Sequence, residues 1–310
     1  MEMIREPIRC EDEGYIGADS ISRRVSGPTL VPGLIYTSLM FFLSPQNTAI
    51  GFQNTSGFEA PVRRAVQTAE YMYAMYYGDR ATAEHAAKVV NAIHDQVNGT
   101  WPPTGDVVHR ASDPSNLLWL LIPYGQGVLD AYDAYGPRRL TAEERDRYWR
   151  EESAAVGRLN RIPDDALPKS QDEADAYLES QRPLLATGEG MAHVIENFFP
   201  SVLFGGGVVP PVAALPLRLT IASGVALLPD YAMRLMGQRP YSRAEKLAIR
   251  LTNRPVYAAL TATPVVRDAI PLAISGRCRT VVRRGQAAAR TGQYDPPVAG
   301  AEDAKVAVTA

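Results

Sequence analysis

The stretch VRRAVQTAEYMYAMYYGDRATAEHAAKVVNAIHDQVNG, residues 62–99, decides the fold class. Apolar residues recur in it every three or four positions, which is the spacing of helices that bury one face. Pro61 suits the first turn of a helix that the pattern predicts as far as Tyr77, where Gly78 ends it. A second helix is predicted over residues 82–98.

A capping box marks the start of another helix further along the chain. Thr141-Ala-Glu-Glu144 places a hydroxyl and a carboxylate where each binds a backbone N–H of the first turn, and it predicts a helix over 142–160. The apolar spacing predicts further helices, over residues 116–135, 170–185, 189–198, 216–236, 242–252 and 254–261. No stretch alternates as a strand does and no internal repeat is present, so the predicted fold class is all-α.

The helical pattern predicts a single domain over residues 28–283 with polar segments on either side. Residues 1–27 are expected to form a flexible N-terminal segment, and residues 284–310, rich in Ala, Gly and Pro, a disordered tail. At 310 residues and 46% hydrophobic, the chain is long enough to bury one large core.

Charge and cysteine content exclude several classes of protein. The formal net charge is −2 and Lys and Arg are not clustered, so no nucleic-acid partner is expected. Cys10 and Cys278 lie near opposite ends of the chain, which fits neither a disulfide scaffold nor a zinc cluster and favours a reducing compartment. The first residues carry no secretory signal, so the predicted location is cytoplasmic. The sequence does not indicate an oligomeric state.

No run of the sequence reaches the roughly 18 apolar residues of a membrane span. The longest apolar zone, from Val202 to Leu228, is interrupted by residues such as Gly205, Pro210 and Arg218. This favours short buried helices, and peripheral contact with a membrane stays open.

Imidazole chemistry is limited to four histidines, His85, His94, His109 and His193. On the helix predicted over 82–98, His94 shares a face with apolar residues, so its side chain is expected to point into the interior. A hydrogen-bonded core histidine and a metal-ligating histidine both fit this position.

Two polar residues of the preceding helix also share a face. Arg64 and Thr68 are spaced i, i+4 and lie on the same side as Met72 and Met75. An inward arginine is costly unless an anion pairs with it. Arg64 therefore either binds a carboxylate or an oxyanion in the interior, or lies at the exposed edge of the helix near its start.

These residues, in this order, resemble a known family. The run 62–99 is similar to the core of the MpaB oxygenase and latex-clearing protein (rubber oxygenase) family, which carries an Arg, a Thr four residues later, a Gly that closes the helix and an inward His. The matching residues here are Arg64, Thr68, Gly78 and His94. Later segments that resemble the family are ASDPSNLLWLLIPYGQGVLDAYDAYGPRRLTAEERDRYWRE, ALPKSQDEADAYL and ALLPDYAMRLMG, so the likeness spans about residues 35–280.

The resemblance implies a haem-b-dependent oxygenase with a helical core reminiscent of globins. It implies that His94 is the proximal ligand of the haem iron, with dioxygen as co-substrate. Arg64 is then expected to anchor a haem propionate or to stabilise negative charge on oxygen, and Thr68 to donate a hydrogen bond to dioxygen. The abundance of Ala, Val, Leu and Tyr favours a small apolar organic substrate, and mono-oxygenation and oxidative cleavage of a carbon–carbon double bond both fit.

The sequence departs from the family pattern at three positions. The pair Ser44-Pro45 stands where most members have His-Pro, and Gln67 stands where latex-clearing relatives have a Lys able to cap the iron. A lysine-ligated resting state is therefore not expected. His109 replaces a common aromatic residue, and its loop-like surroundings favour a surface position over the distal pocket.

Two other functions compete with this interpretation. Glu189, His193 and Glu196 share a helix face and offer ligands for non-haem iron or manganese, although no second His on a matching helix completes a di-iron site. Alternatively, Ser44 and Gln67 are signs of a lost cofactor, and the chain is a helical binding protein. The haem oxygenase is the favoured prediction.

Overall fold

The computed structural model describes residues 2–54, 59–100, 106–186, 211–263, 271, 272 and 274–296. Within these ranges the only sheet is a two-stranded antiparallel hairpin, and the prediction of an all-α fold is confirmed. In chain order the elements are α1 (Ile21–Val25), α2 (Leu30–Phe42), α3 (Pro45–Gln53), α4 (Glu59–Tyr77), α5 (Arg80–His94), β1 (Asn98–Thr100), β2 (Val108–Arg110), α6 (Pro114–Tyr135), α7 (Ala142–Glu152), α8 (Gln171–Gln181), α9 (Pro211–Val225), α10 (Asp230–Leu235), α11 (Arg243–Ala262) and α12 (Gly276–Thr291).

A tight turn joins α4 to α5. A Cβ on Gly78 would lie 2.5 Å from the carbonyl oxygen of Ala74, so no larger residue fits there without a shift. Asp79, fully buried, caps α5 by accepting a hydrogen bond from the Thr82 N–H at 2.8 Å. Its other carboxylate oxygen accepts from the Glu11 N–H at 3.0 Å, which ties the N-terminal segment to this turn.

The core forms around α2 and α6, which pack along each other. Their backbones meet at a glycine, because a Cβ on Gly127 would lie 2.8 Å from the Gly33 carbonyl oxygen. On another side of α6, Tyr148 and Trp149 of α7 are fully buried and edge-to-face, with ring centroids 5.4 Å apart. The arrangement leaves α4 and α5 to one side of the α2–α6 pair.

Several helix boundaries differ from those predicted. The helix expected over 82–98 ends at His94, because residues 98–100 pair with β2 instead of continuing the helix. The segments 242–252 and 254–261 form one helix, α11, which continues through Pro255. The segment 216–236 divides between α9 and α10 at Pro229. The helix predicted over 189–198 lies outside the described residues.

The two terminal segments pack more than their polarity indicates. Ile4, Ile16 and Ile21 are at most 1% exposed, so the expectation that the N-terminal segment packs little is wrong for residues 2–27. The tail predicted from residue 284 begins inside α12, which buries Ala288. A few well-spaced apolar side chains suffice to dock a segment whose average composition is polar. Residues 297–310 lie outside the described residues.

In the described part of the chain, no helix combines the length and the apolarity needed to cross a bilayer. Cys10 and Cys278 are both buried free thiols, and burial raises the pKa of each to about 11.

A buried carboxyl lies where α7 passes into a π-helical turn, Ser153–Gly157. Glu152 is fully buried, and neither of its carboxyl oxygens has a hydrogen-bond partner of normal geometry within the described residues. Burial raises the pKa of Glu152 to about 7, an effect that the nearby Ser22 and Tyr76 hydroxyls partly offset. The folded protein therefore prefers this carboxyl protonated.

The stability of the protein is expected to fall with rising pH because of Glu152. Below pH 4.5 both states are protonated, whereas between pH 4.5 and 7 only the unfolded state ionises, a difference of about 3 kcal/mol when complete. Glu152→Gln should reduce the loss of unfolding free energy between about pH 5 and about pH 8, measured by denaturant unfolding. Glu143→Gln, on an exposed position of α7, is the matched control. If the Glu152→Gln variant lost as much stability between these two pH values as the wild type does, the raised pKa of Glu152 would be contradicted.

Candidate functional site

His94 lies at the C-terminal end of α5. It is the last residue of the helix, which was predicted to continue to residue 98, and it is half-buried. Its Nδ1 atom is buried and has no hydrogen-bond partner in the described ranges. Buried polar atoms of core side chains are almost always hydrogen-bonded. Within the described residues His94 is therefore not a hydrogen-bonded core histidine at this atom, a condition that it shares with other buried atoms such as Trp119 Nε1.

The imidazole of His94 is held neutral. Burial and the positive charge of Arg64 lower the pKa of His94 to about 4, with a smaller contribution from Arg161, while Asp95 opposes them. A neutral imidazole has a lone pair on one nitrogen, whereas an imidazolium has none. The local environment keeps this donor form at neutral pH.

Arg64 is exposed at the surface and is also desolvated by the protein around it. Its Nη1 atom donates to the Gly51 carbonyl oxygen of α3 at 3.5 Å. The side chain is exposed, yet desolvation lowers the pKa of its guanidinium. Arg64 is therefore neither fully interior nor free of contact with the body of the protein.

The turn at Gly78 explains why Arg64 and His94 influence each other. Arg64 lies 14 residues before Gly78 and His94 lies 16 residues after it. At 1.5 Å per residue, these positions are about 21 Å and about 24 Å from the turn along neighbouring helices. The two residues therefore lie near each other at the open end of the α4–α5 pair, close enough for the charge of Arg64 to lower the pKa of His94.

The face of α4 changes character along its length. Thr68, one turn after Arg64, is exposed, whereas every residue from 70 to 76 is buried. A helix that is buried all round runs through the core, so α4 leaves the core at Thr68. Met72 and Met75, predicted on the same face as Arg64, are both buried in the hydrophobic core.

A contact between α5 and the turn after α7 fixes the end of α5, and it was not predicted. The Asn91 amide donates to the Leu159 carbonyl oxygen at 2.8 Å, and the Arg161 guanidinium pairs with Asp95 at 3.1 Å. Arg161 adopts a left-handed backbone, with φ of 62°, which costs a non-glycine residue on the order of 1 kcal/mol. The sequence gives no signal for this left-handed conformation, because the residue that adopts it is not a glycine.

The three positions that depart from the family pattern have local roles or remain untested. Ser44 caps α3, since its hydroxyl accepts from the Asn47 backbone N–H at 3.4 Å, and Pro45 occupies the first helical position. His109 is 9% exposed and lies on β2 opposite Gly99, so its predicted surface position is wrong. The hairpin, absent from the sequence prediction, is what buries it. Gln67 is half-buried on α4.

The non-haem alternative cannot be placed on the described structure. Glu189, His193 and Glu196 all lie outside the described residues. Among the residues that are described, no group of three or more His, Cys, Asp or Glu side chains is close enough to hold a metal ion.

Comparison with known proteins identifies the family. A family model described as "ER-bound oxygenase mpaB/B'/Rubber oxygenase, catalytic domain" matches residues 25–263. The chain belongs to this family. It is therefore an oxygenase-family member, and the resemblance drawn from residues 62–99 is confirmed. Neither the curated proteins nor the solved structures gave a match. The matched range contains Arg64, Thr68 and His94, whose roles remain predictions.

We expect His94 to titrate near pH 4 in cofactor-free protein, because burial and Arg64 disfavour its imidazolium. NMR of histidine-labelled protein measures this directly, and His94→Gln assigns the resonance among the four histidines. Arg64→Gln should raise the pKa of His94, since it removes a nearby positive charge. A His94 resonance that titrates at its ordinary value near pH 6.5 would contradict the described burial.

Proposed function

We propose that this protein is a haem-b-dependent oxygenase that uses dioxygen on a small apolar organic substrate. The observation that carries the proposal is the His94 imidazole, neutral and with a buried ring nitrogen that lacks a partner in the described structure. Membership of an oxygenase family supplies the reaction class. When bound, haem supplies the iron that activates dioxygen, while the chain supplies the ligand, the polar groups and the apolar walls.

His94 has the properties that an imidazole would need to hold the haem iron. A ligand imidazole must be unprotonated, and the depressed pKa of His94 ensures this across the physiological range. The end of α5 is fixed by the Asn91 and Arg161 contacts, which limits the positions that the ring can adopt.

Arg64 is suited to bind an anion at the site. Its guanidinium is positively charged and partly desolvated by the protein around it, and such a group binds carboxylates and other oxyanions strongly. A haem propionate is such a group, and negative charge developing on oxygen is another. In either role the positive charge of Arg64 would lie next to a negative charge, that of the propionate or that of the oxygen.

Thr68 presents a hydroxyl on the same helix face as Arg64. It is exposed to the open half of α4, and i, i+4 spacing brings the two side chains together. A hydroxyl both donates and accepts, so Thr68 can donate to dioxygen while a water or backbone group satisfies its acceptor side.

The neighbouring side chains favour an apolar substrate. Tyr71, Met72 and Met75 follow Thr68 on α4 and belong to the buried hydrophobic core, so the interior next to the site is mostly apolar. Thioether and aromatic surfaces adapt to apolar molecules and offer few competing hydrogen bonds. The proposed reaction is mono-oxygenation or oxidative cleavage of a carbon–carbon double bond. The buried free thiols Cys10 and Cys278 support the proposed cytoplasmic location.

Replacing His94 should abolish haem binding or leave it dependent on added imidazole. We expect the wild-type protein to purify with a Soret band, and His94→Ala to lose it or to regain it only with exogenous imidazole. His85→Ala, on the surface side of α5, is the matched control and should keep the band. A non-haem enzyme would contain iron without a Soret band, and a binding protein would contain neither. An unchanged Soret band in His94→Ala would exclude His94 as the ligand.

Removing the Thr68 hydroxyl should weaken dioxygen binding and leave haem binding intact. Thr68→Val keeps the shape of the side chain but loses the donor, a change worth roughly 1–3 kcal/mol or about 5- to 150-fold in affinity. The dioxygen affinity of the reduced protein, measured by stopped flow, reports this loss, and Thr68→Ser should restore most of it. Loss of haem from Thr68→Val would instead make Thr68 a structural residue.

A further inference from the structure

Helix α11 presents an apolar face to solvent. Leu247 is 54% exposed, Leu251 64% and Val256 49%, and the helix buries only Asn253 and Tyr257. No exposed residue between 244 and 262 is charged; these residues are Ala244, Leu247, Ala248, Leu251, Thr252, Pro255, Val256, Ala258, Ala259, Thr261 and Ala262. A helix on a water-facing surface normally shows the opposite arrangement. At 1.5 Å per residue, this face is about 28 Å long.

The charged residues of α11 lie on the flanks of this face. Glu245, Lys246, Arg250 and Arg254 are all half-buried, so their side chains extend along the edges between the apolar face and the body of the protein. Helix α9 packs beside α11 and carries a further exposed apolar side chain, since Leu215 is 64% exposed. Contiguous exposed apolar surface of this kind marks an interaction site.

The flanking charge is positive and largely uncompensated. Arg250 donates to the Ala134 carbonyl oxygen at 3.2 Å and Arg254 to that of Pro137 at 3.1 Å, and neither has a carboxylate partner among the described residues. Lys246 is different, because it pairs with Asp230 at 3.1 Å.

Two further arginines extend this positive rim. Arg243, at the first position of α11, and Arg139, two residues after Pro137, are both exposed. The rim of the apolar face therefore carries Arg139, Arg243, Arg250 and Arg254.

We propose that the outer face of α11 docks onto the surface of an anionic phospholipid bilayer. An apolar face inserts among the acyl chains near the headgroups, and arginines along its edges reach the phosphates. The anionic cytoplasmic leaflet attracts such a rim. A symmetric contact between two copies of the chain fits less well, because it would bring the two arginine rims together. This inference does not depend on haem.

Vesicle co-sedimentation of the full-length protein tests the proposal. Wild type should sediment with vesicles of phosphatidylcholine and phosphatidylglycerol, and bind phosphatidylcholine alone more weakly. Leu247→Glu/Leu251→Glu should weaken binding to the mixed vesicles by about tenfold or more, since it puts two charges into the inserted face. The control Val107→Glu/Leu184→Glu adds the same charge at equally exposed positions elsewhere and should bind as wild type does.

Three results would overturn the proposal. The first is no binding of wild type to mixed vesicles, and the second is equal binding to neutral and anionic vesicles. The third is a wild-type dimer in sedimentation equilibrium that Leu247→Glu/Leu251→Glu converts to a monomer without any vesicle binding, which would assign the face to a second copy. Circular dichroism of both double variants establishes that their helices are intact.

Discussion

The turn at Gly78 and Asp79 is the constraint on which the candidate site depends. Gly78 allows the backbone of α4 to end against Thr82 without a side chain in the way, and Asp79 caps α5 while binding the Glu11 N–H. The turn therefore fixes how far each residue of α4 and α5 lies from the point of reversal. Arg64 and His94 lie at similar distances from it, so their meeting follows from the turn.

Electrostatics at the open end of this helix pair determine what His94 can do. A C-terminal helix end normally favours a protonated histidine, because the helix dipole is negative there. Here burial and the charge of Arg64 oppose that effect and hold the pKa of His94 near 4. The imidazole is thus kept as a lone-pair donor by its surroundings. Arg161, which lies in the turn after α7 and pairs with Asp95, also lowers the pKa of His94, although by less than Arg64 does.

Much of the framework could be predicted from local signals in the sequence. The Gly-Asp turn, the Thr141 capping box and the apolar spacing act within a few residues, and the structure has the expected helices there. The helix containing His94 ended one turn early because residues 98–100 pair with residues 108–110, a contact that residue spacing does not reveal. The helix over 276–291 was missed because its Arg- and Ala-rich composition hides Val281 and Val282, which are buried.

The residues of the candidate site could be chosen from the sequence, whereas their surroundings could not. Arg64, Thr68 and His94 follow from spacing and from the family pattern, and their roles stay predictions. The contact of Arg64 with α3 depends on tertiary structure, since its Nη1 atom donates to the Gly51 carbonyl oxygen. Arg161 carries no signal because a left-handed backbone at a non-glycine residue arises from tertiary contacts. The exposed apolar face of α11 could not be predicted either, because the spacing of apolar residues does not show which side of a helix packs against the protein.

The central claim is that the His94 ring binds the iron of a haem at the open end of the α4–α5 pair. Anomalous X-ray diffraction at the iron edge, on crystals of the haem-loaded protein, locates the metal directly. The account predicts a single iron peak within bonding distance of a His94 ring nitrogen, on the side of Arg64 and Thr68. A peak beside His109 or His193, or one far from every histidine, would contradict it.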